Sequence, residues 1–311
     1  MHARKHHLLL ALWILCCGRV GVAQAYGGFA ATFLRMGVGA RAVSMGSSFV
    51  AVADDASAPY WNPAGLACNP GRQLVLSHHS FPLDRKNQYL SYKQSRGDAA
   101  FGFSWQIAGT DDIVARDSSG RKVGNLSDEQ NAYAFSFAKQ LGPKASFGLT
   151  GKLLRHELAG QKGKGSAFDV GLLVRPTGWL SVGVTLKELG GKVEWQNRYW
   201  ERETAQEDEI PWTWTAGVSC ALADKRLLVA ADLDRTQNLG LKAGLGGELR
   251  IAPKVRLRAG ATNLSADGDV DPAFSFGAGI ALSENLDLDG GYVTDPIGAG
   301  GSQVWSLSFR L

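Results

Sequence analysis

Few residues in this sequence invite a chemical reading. Gly37-Val38-Gly39 has two glycines of a nucleotide-binding turn, but the third glycine and the preceding strand are missing, which favours tight backbone packing. His78 and His79 could ligate a metal only with partners that the sequence does not supply, and neighbours on an extended strand point to opposite faces. Asp54 and Asp55 offer a carboxylate pair for acid–base work, although their setting favours solvated or internally bonded turn carboxylates. Cys68 and Cys220 belong to no metal or redox motif. A disulfide between them stays open in an oxidising compartment, against which Cys220 falls in step with Trp212, Trp214, Ala216 and Val218 on the apolar face of a strand. Asn125-Leu126-Ser127 fits a glycan acceptor pattern short enough to occur by chance. No nucleophile, metal or phosphate motif emerges, so the sequence does not read as an enzyme and calls for no cofactor.

One segment carries exposed aromatics. Between Gly190 and Glu209, Trp195, Tyr199 and Trp200 stand among Glu201, Arg202, Glu203, Glu207, Asp208 and Glu209. Either they touch a ligand or partner, or they cover a mouth or join an interfacial aromatic belt.

The elements that position these residues follow a period of two. From Arg72 to Leu311, apolar residues recur at every second position between turn residues: Phe101, Phe103, Trp105 and Ile107 in one segment, Leu180, Val182, Val184 and Leu186 in another. The pattern predicts about 14 strands, near 73–80, 87–96, 98–108, 129–141, 144–157, 165–176, 179–189, 211–222, 225–236, 240–251, 254–264, 272–282, 285–294 and 303–311. Such lengths suit tilted membrane strands of roughly 9–11 residues. Tight connections such as Gly142–Pro143 and Ala252–Pro253 alternate with longer ones at roughly 109–128, 159–164, 190–210, 265–271 and 295–302. This predicts an all-β fold: a transmembrane antiparallel β-barrel of about 14 strands with short periplasmic turns and both strand termini in the periplasm.

A soluble sandwich would also alternate, but the second face argues for a barrel. Leu227, Val229, Ala231 and Leu233 share one face with Leu241, Ala243, Leu245, Leu249, Val255, Leu257, Ala259 and Ala261. Asp232, Asp234, Lys242, Glu248, Arg250, Arg256, Arg258, Asp287 and Asp289 lie on the other among many glycines, as in a polar, packed lumen whose outside meets outer-membrane lipid. The final strand, with Trp305, Leu307, Phe309 and Leu311 in alternation, resembles the C-terminal signal read by the outer-membrane assembly machinery, except that it ends in leucine rather than an aromatic residue.

The start of the chain explains its charge. Arg4 and Lys5, an apolar run from Leu8 to Cys17 and a small-residue exit at Ala23-Gln24-Ala25 predict a secretory signal peptide over 1–25, cut after Ala25. It takes Arg4, Lys5 and Arg19 with it, bringing 33 basic residues close to parity with 29 acidic ones. A near-neutral mature chain has no electrostatic case for nucleic acid.

Residues 26–71 do not alternate, and a barrel of about 14 strands leaves an interior to be filled or left open. A glycine- and alanine-rich N-terminal hatch, or plug, fits there, with 72–311 as the barrel. Asn62 and Pro63 read as a helix N-cap and first helical residue. The block from Phe33-Leu34-Arg35-Met36-Gly37-Val38-Gly39-Ala40-Arg41-Ala42 through Met45-Gly46 and Phe49 to Ala58, closing at Tyr60-Trp61-Asn62-Pro63-Ala64-Gly65-Leu66-Ala67, resembles the PorV/PorQ family, itself similar to FadL-type barrels of the FadL/TodX kind. The resemblance implies a hatch motif at Asn62, Pro63, Ala64 and Gly65, and hatch packing through Gly37, Gly39, Arg41, Gly46, Asp54 and Asp55. It implies two functions. One is passive transport of a hydrophobic small molecule such as a long-chain fatty acid. The other is an outer-membrane component of type IX protein secretion that anchors cargo or other secretion-system proteins. The compact chain favours transport, while its loops are shorter than those that form the external ligand groove of fatty-acid transporters.

Overall fold

The computed structural model describes residues 29–196, 206–265, 271–295 and 300–311; the leader therefore lies outside the described residues. Its strands are β1 (Gly71–Ser80), β2 (Arg85–Arg96), β3 (Ala99–Arg116), β4 (Lys122–Gly142), β5 (Ala145–Leu158), β6 (Gln161–Val174), β7 (Leu180–Gln196), β8 (Gln206–Glu209), β9 (Thr213–Leu222), β10 (Leu227–Thr236), β11 (Leu241–Ala252), β12 (Val255–Leu264), β13 (Ala273–Ala281), β14 (Leu286–Val293) and β15 (Ser302–Arg310). All but β8 form one antiparallel ring, closed where β1 pairs with both β2 and β15. The fold is a closed barrel of 14 strands, and β8 merely extends β7 beyond the ring.

The ring follows from alternation. In β10, Ala230 and Asp232 face the interior and are buried, while Val229 and Leu233 face outward at 42% and 41% exposure. Phe101, Phe135, Leu153, Phe168, Leu245 and Leu257 are likewise exposed on the outer face, so the wall carries an apolar outer band. Among the described residues no helix is long and apolar enough to cross a membrane.

The connections differ from expectation at three places. The stretch 109–128 is mostly paired strand, since β3 and β4 stay in register out to Arg116 and Lys122 and leave only 117–121 as a turn. The stretch 159–164 shrinks to Ala159 and Gly160 between β5 and β6. Beyond the apolar band both strand faces meet water, so the hydrophobic alternation stops although the backbone ladder continues. At 190–210, β7 runs on to pair with β8, and residues 197–205 lie outside the described residues. Tight turns and both ends of the strand sequence share one end of the barrel, here the turn end. The other is the hairpin end.

Residues 29–70 occupy the lumen. Phe33, Met45, Phe49, Ala53, Ala58, Asn62 and Leu66 have no exposed surface. Cys68 and Cys220 are both free, so the disulfide left open above is absent: Cys68 lies against Ser146 inside the barrel and Cys220 on the outward-facing side of β9.

Candidate functional site

The lumenal segment is built of single turns. Short helical turns at Thr32–Arg35, Ala40–Val43, Ala58–Trp61 and Pro63–Ala67 are joined by bends that need positive φ at Gly37 (75°), Gly39 (78°) and Gly46 (61°). At Gly46 a side chain would also run into the backbone of Leu245 and Ala261 in the wall. The first and last of these turns are 3₁₀, so the helix expected after Asn62 is tighter and shorter than an α-helix. The expected cap is present: Pro63 takes the first position, and the Asn62 carboxamide oxygen accepts from the Ala64 N–H at 3.1 Å. Its Nδ2 donates to Val50 O at 2.9 Å and to Leu172 O in β6 at 3.2 Å, so one buried amide holds its own turn, a second turn of the segment and the wall. Ala64 O accepts from Ser146 Oγ at 2.9 Å, and Gly65 is pressed so closely on Ala53 that no Cβ fits.

The wall receives this segment through glycines and short polar side chains. Gly148, Gly171, Gly246 and Gly260 touch it where a Cβ would overlap its backbone or the Asn62 carboxamide. Asn87 donates to Gly37 O, Gln106 to Phe33 O, Gln140 to Ala67 O and Ser275 to Ser44 O. The Asp232 carboxylate accepts from the Phe49 and Val50 N–H groups at 2.8 and 3.0 Å.

Near the turn end Arg41 holds the segment electrostatically. It binds Asp54 at 2.6 Å, Asp55 at 3.5 Å and Glu248 of β11 at 3.0 Å; Glu248 then pairs with Arg258, and Arg258 with Asp289. Burial disfavours the charged guanidinium, but Asp54, Glu248 and Asp55 outweigh it and raise the Arg41 pKa above its usual value. Asp55 also accepts the Ser57 N–H at 2.8 Å.

Above the segment, toward the hairpin end, lies a chamber of about 510 Å³. Its floor is Gly46, Val50, Tyr60 and Trp61, and Phe81 and Leu239 from two hairpin connections stand at its rim. Tyr60 and Trp61 meet edge to face at 4.9 Å, and the Lys187 ammonium sits 4.8 Å above Tyr60 and 5.6 Å above Trp61. Lys187 and Glu188 both face inward because β7 bulges there: Val170 pairs with Leu186 but Phe168 with Leu189, and Glu188 takes a φ of 58°. Glu188 and Asp169 share the buried Lys152 ammonium at 2.8 and 2.7 Å, leaving Lys187 as a chamber cation without an ion-pair partner among the described residues. None of these four was singled out from the sequence. The signal was the step from Leu186 to Leu189, three residues where alternation demands two.

Trp195 is half-buried; its Nε1 donates to Asp208 at 2.7 Å, and its ring meets His156 and packs against the cluster of Phe33, Leu154, Val193 and Ile210. Tyr199 and Trp200 lie outside the described residues. His78 points outward, while His79 is buried and bonded to Ser302 at 2.9 Å.

The profile of the Uncharacterised protein family (UPF0164) matches residues 23–153, less than half of the chain but including the block from Phe33 to Ala67. No curated protein matches. Among solved structures, the chain is similar to the Ralstonia pickettii toluene transporter TbuX, with 16% identity, TM-score 0.65, and 88% of this chain and 98% of that one covered. It is also similar to the P. putida toluene transporter TodX (15%, TM-score 0.66, 88% and 99% covered) and to a Pseudomonas aeruginosa FadL homologue (13%, TM-score 0.59, 85% and 95% covered). The shared feature is the fold of FadL-type barrels. At such identities nothing beyond the fold carries across.

Proposed function

We propose that this chain is an outer-membrane channel for the passive entry of hydrophobic small molecules, with residues 1–25 a cleaved leader, 26–71 a hatch and 72–311 the barrel. The carrying observation is the chamber of about 510 Å³ that lies between the lumenal segment and the hairpin-end residues Phe81 and Leu239. A cavity of this size holds a small ligand. Val50 and Met36 offer it apolar surface beside Tyr60 and Trp61, and Lys187 and Arg35 offer two cations in a lining that also holds Glu188, Asp232 and Asp234. That combination suits an amphiphile such as a long-chain fatty acid, its head on Lys187 over the aromatic floor and its tail on the apolar surface. The apolar outer band and the tight turns at one end support an outer-membrane position with the turn end in the periplasm. Passage then requires the hatch to shift, since it seals the lumen without contributing a strand to the ring.

The test is entry of a labelled long-chain fatty acid into vesicles carrying the purified barrel. Entry should exceed that of protein-free vesicles and fall when the hatch is crosslinked to the wall through cysteines at Ser44 and Ser275. Entry at the protein-free rate would overturn the channel reading.

A further inference from the structure

At the turn end, below the lumenal segment, cavities of about 670, 260 and 90 Å³ adjoin one another: the first two share Asp54 and Asn69, the first and third Lys144 and Arg175. Their cations come from separate elements. Lys144 is in the turn between β4 and β5, Arg175 follows β6, Lys225 is in the turn between β9 and β10, and Arg250 lies two residues before the end of β11. Many charges at this mouth are already matched: Arg41 with Asp54, Asp55 and Glu248, and Asp287 with both Arg256 and Arg310. Lys144, Arg175, Lys225 and Arg250 have no carboxylate within ion-pair distance among the described residues, and the one carboxylate bordering the largest cavity, Asp54, is held by Arg41. The mouth thus carries uncompensated positive charge facing a concave, wet space, which attracts anions from the turn-end compartment.

From this we infer that the turn-end mouth is a docking site for an acidic segment of a soluble periplasmic protein. Lys144, Arg175 and Lys225 line one cavity from three different turns. A run of acidic side chains on an extended backbone, advancing about 3.3 Å per residue, matches several cations spread over such turns. The same cavity is bordered by Ala51 and Val52 of the lumenal segment, so the space these cations line lies on the inner side of the wall. That separates them from lipid headgroups and favours a partner approaching along the axis. The compartment follows from the orientation proposed above; the charge pattern does not depend on transport.

The experiment is fluorescence anisotropy of a labelled Asp/Glu decapeptide titrated with the full barrel in nanodiscs of neutral phosphatidylcholine. Wild-type protein should bind, and binding should be lost in half-molar salt. Lys144→Glu, Arg175→Glu and Lys225→Glu together should weaken it by at least about tenfold. The matched reversal at the hairpin end, Arg155→Glu, Lys162→Glu and Lys164→Glu, should leave it unchanged. Heat-modifiable migration reports folding, and the neutral set Lys144→Gln, Arg175→Gln and Lys225→Gln replaces the reversal if that variant does not fold. Absence of wild-type binding, or equal weakening by both reversals, overturns the inference. So does loss of wild-type binding in discs containing phosphatidylglycerol, which would assign the cations to lipid headgroups. Fatty-acid entry measured on the same preparation separates a failure here from a failure of the channel reading.

Discussion

The side-chain amide of Asn62 donates to the backbone carbonyl of Leu172 at 3.2 Å, tying the lumenal segment to a wall residue 110 positions further along the chain. The same side chain caps the turn that follows it. Asn62→Ala removes both, at a cost of about 1 kcal/mol for the cap alone. The amount of folded barrel should stay the same, while amide exchange over residues 60–67 should accelerate relative to that of the wall strands. Unchanged exchange there would refute the anchoring role of Asn62.

Arg41→Ala should loosen the segment more than Asn62→Ala, because it strands Asp54 and Asp55 near each other and takes one of two partners from Glu248. Breaking a buried ion cluster costs about 3–5 kcal/mol, and the 19% exposure of Arg41 sets the expectation at the lower end. Asp54→Asn should cost less, since Arg41 keeps Asp55 and Glu248. Limited proteolysis within residues 40–60 ranks the two; the reverse order would contradict the assigned hub.

Val229 and Leu257 face outward, each the third residue of its strand counted from the turn end. Arginine at either should be costly in a bilayer, up to the about 2–4 kcal/mol that holds at the midplane and less toward the interface. Gly260→Arg should fail for another reason, overlap with Gly46 and Met45 inside the barrel. Val123→Arg, on the hairpin extension, should be tolerated. Unfolding in lipid vesicles checks the series, and equal tolerance at Val229 and Val123 would refute the assigned register.

The parts of this fold legible in the sequence were those where lipid imposes a rule on side chains. β10, β11 and β12 alternate over most of their length because one face meets hydrocarbon and the other a packed interior, and their pairing follows that alternation apart from two register shifts between β11 and β12. Where water wets both faces, as between Thr110 and Asp128, the ladder persists without a side-chain signature, and strand reads as loop. The candidate site divides in the same way. Asn62 was conspicuous as a cap before Pro63, whereas Lys187 became a chamber residue through a bulge. Gly46 and Arg41 stood out only through the family resemblance of their block, and the partner of Arg41, Glu248, is 207 residues away with no local pattern to join them.

The mature chain should begin at Tyr26 and run faster on detergent gels before boiling than after, as closed membrane barrels do. Intact mass and gel migration of the membrane fraction check both statements. Recovery of the protein from the soluble periplasmic fraction would contradict the membrane assignment.

The lumenal segment makes hydrogen bonds to both the first and the last strands synthesised: the Ala56 N–H reaches Gln73 in β1, and the Ala40 N–H reaches Ser306 in β15. The seat of the lumenal segment is therefore complete only once β15 has closed the ring against β1. A chain lacking residues 29–70 would leave the glycine-lined inner wall with nothing to pack against, and its defect is expected to appear as slow closure of the β1–β15 seam.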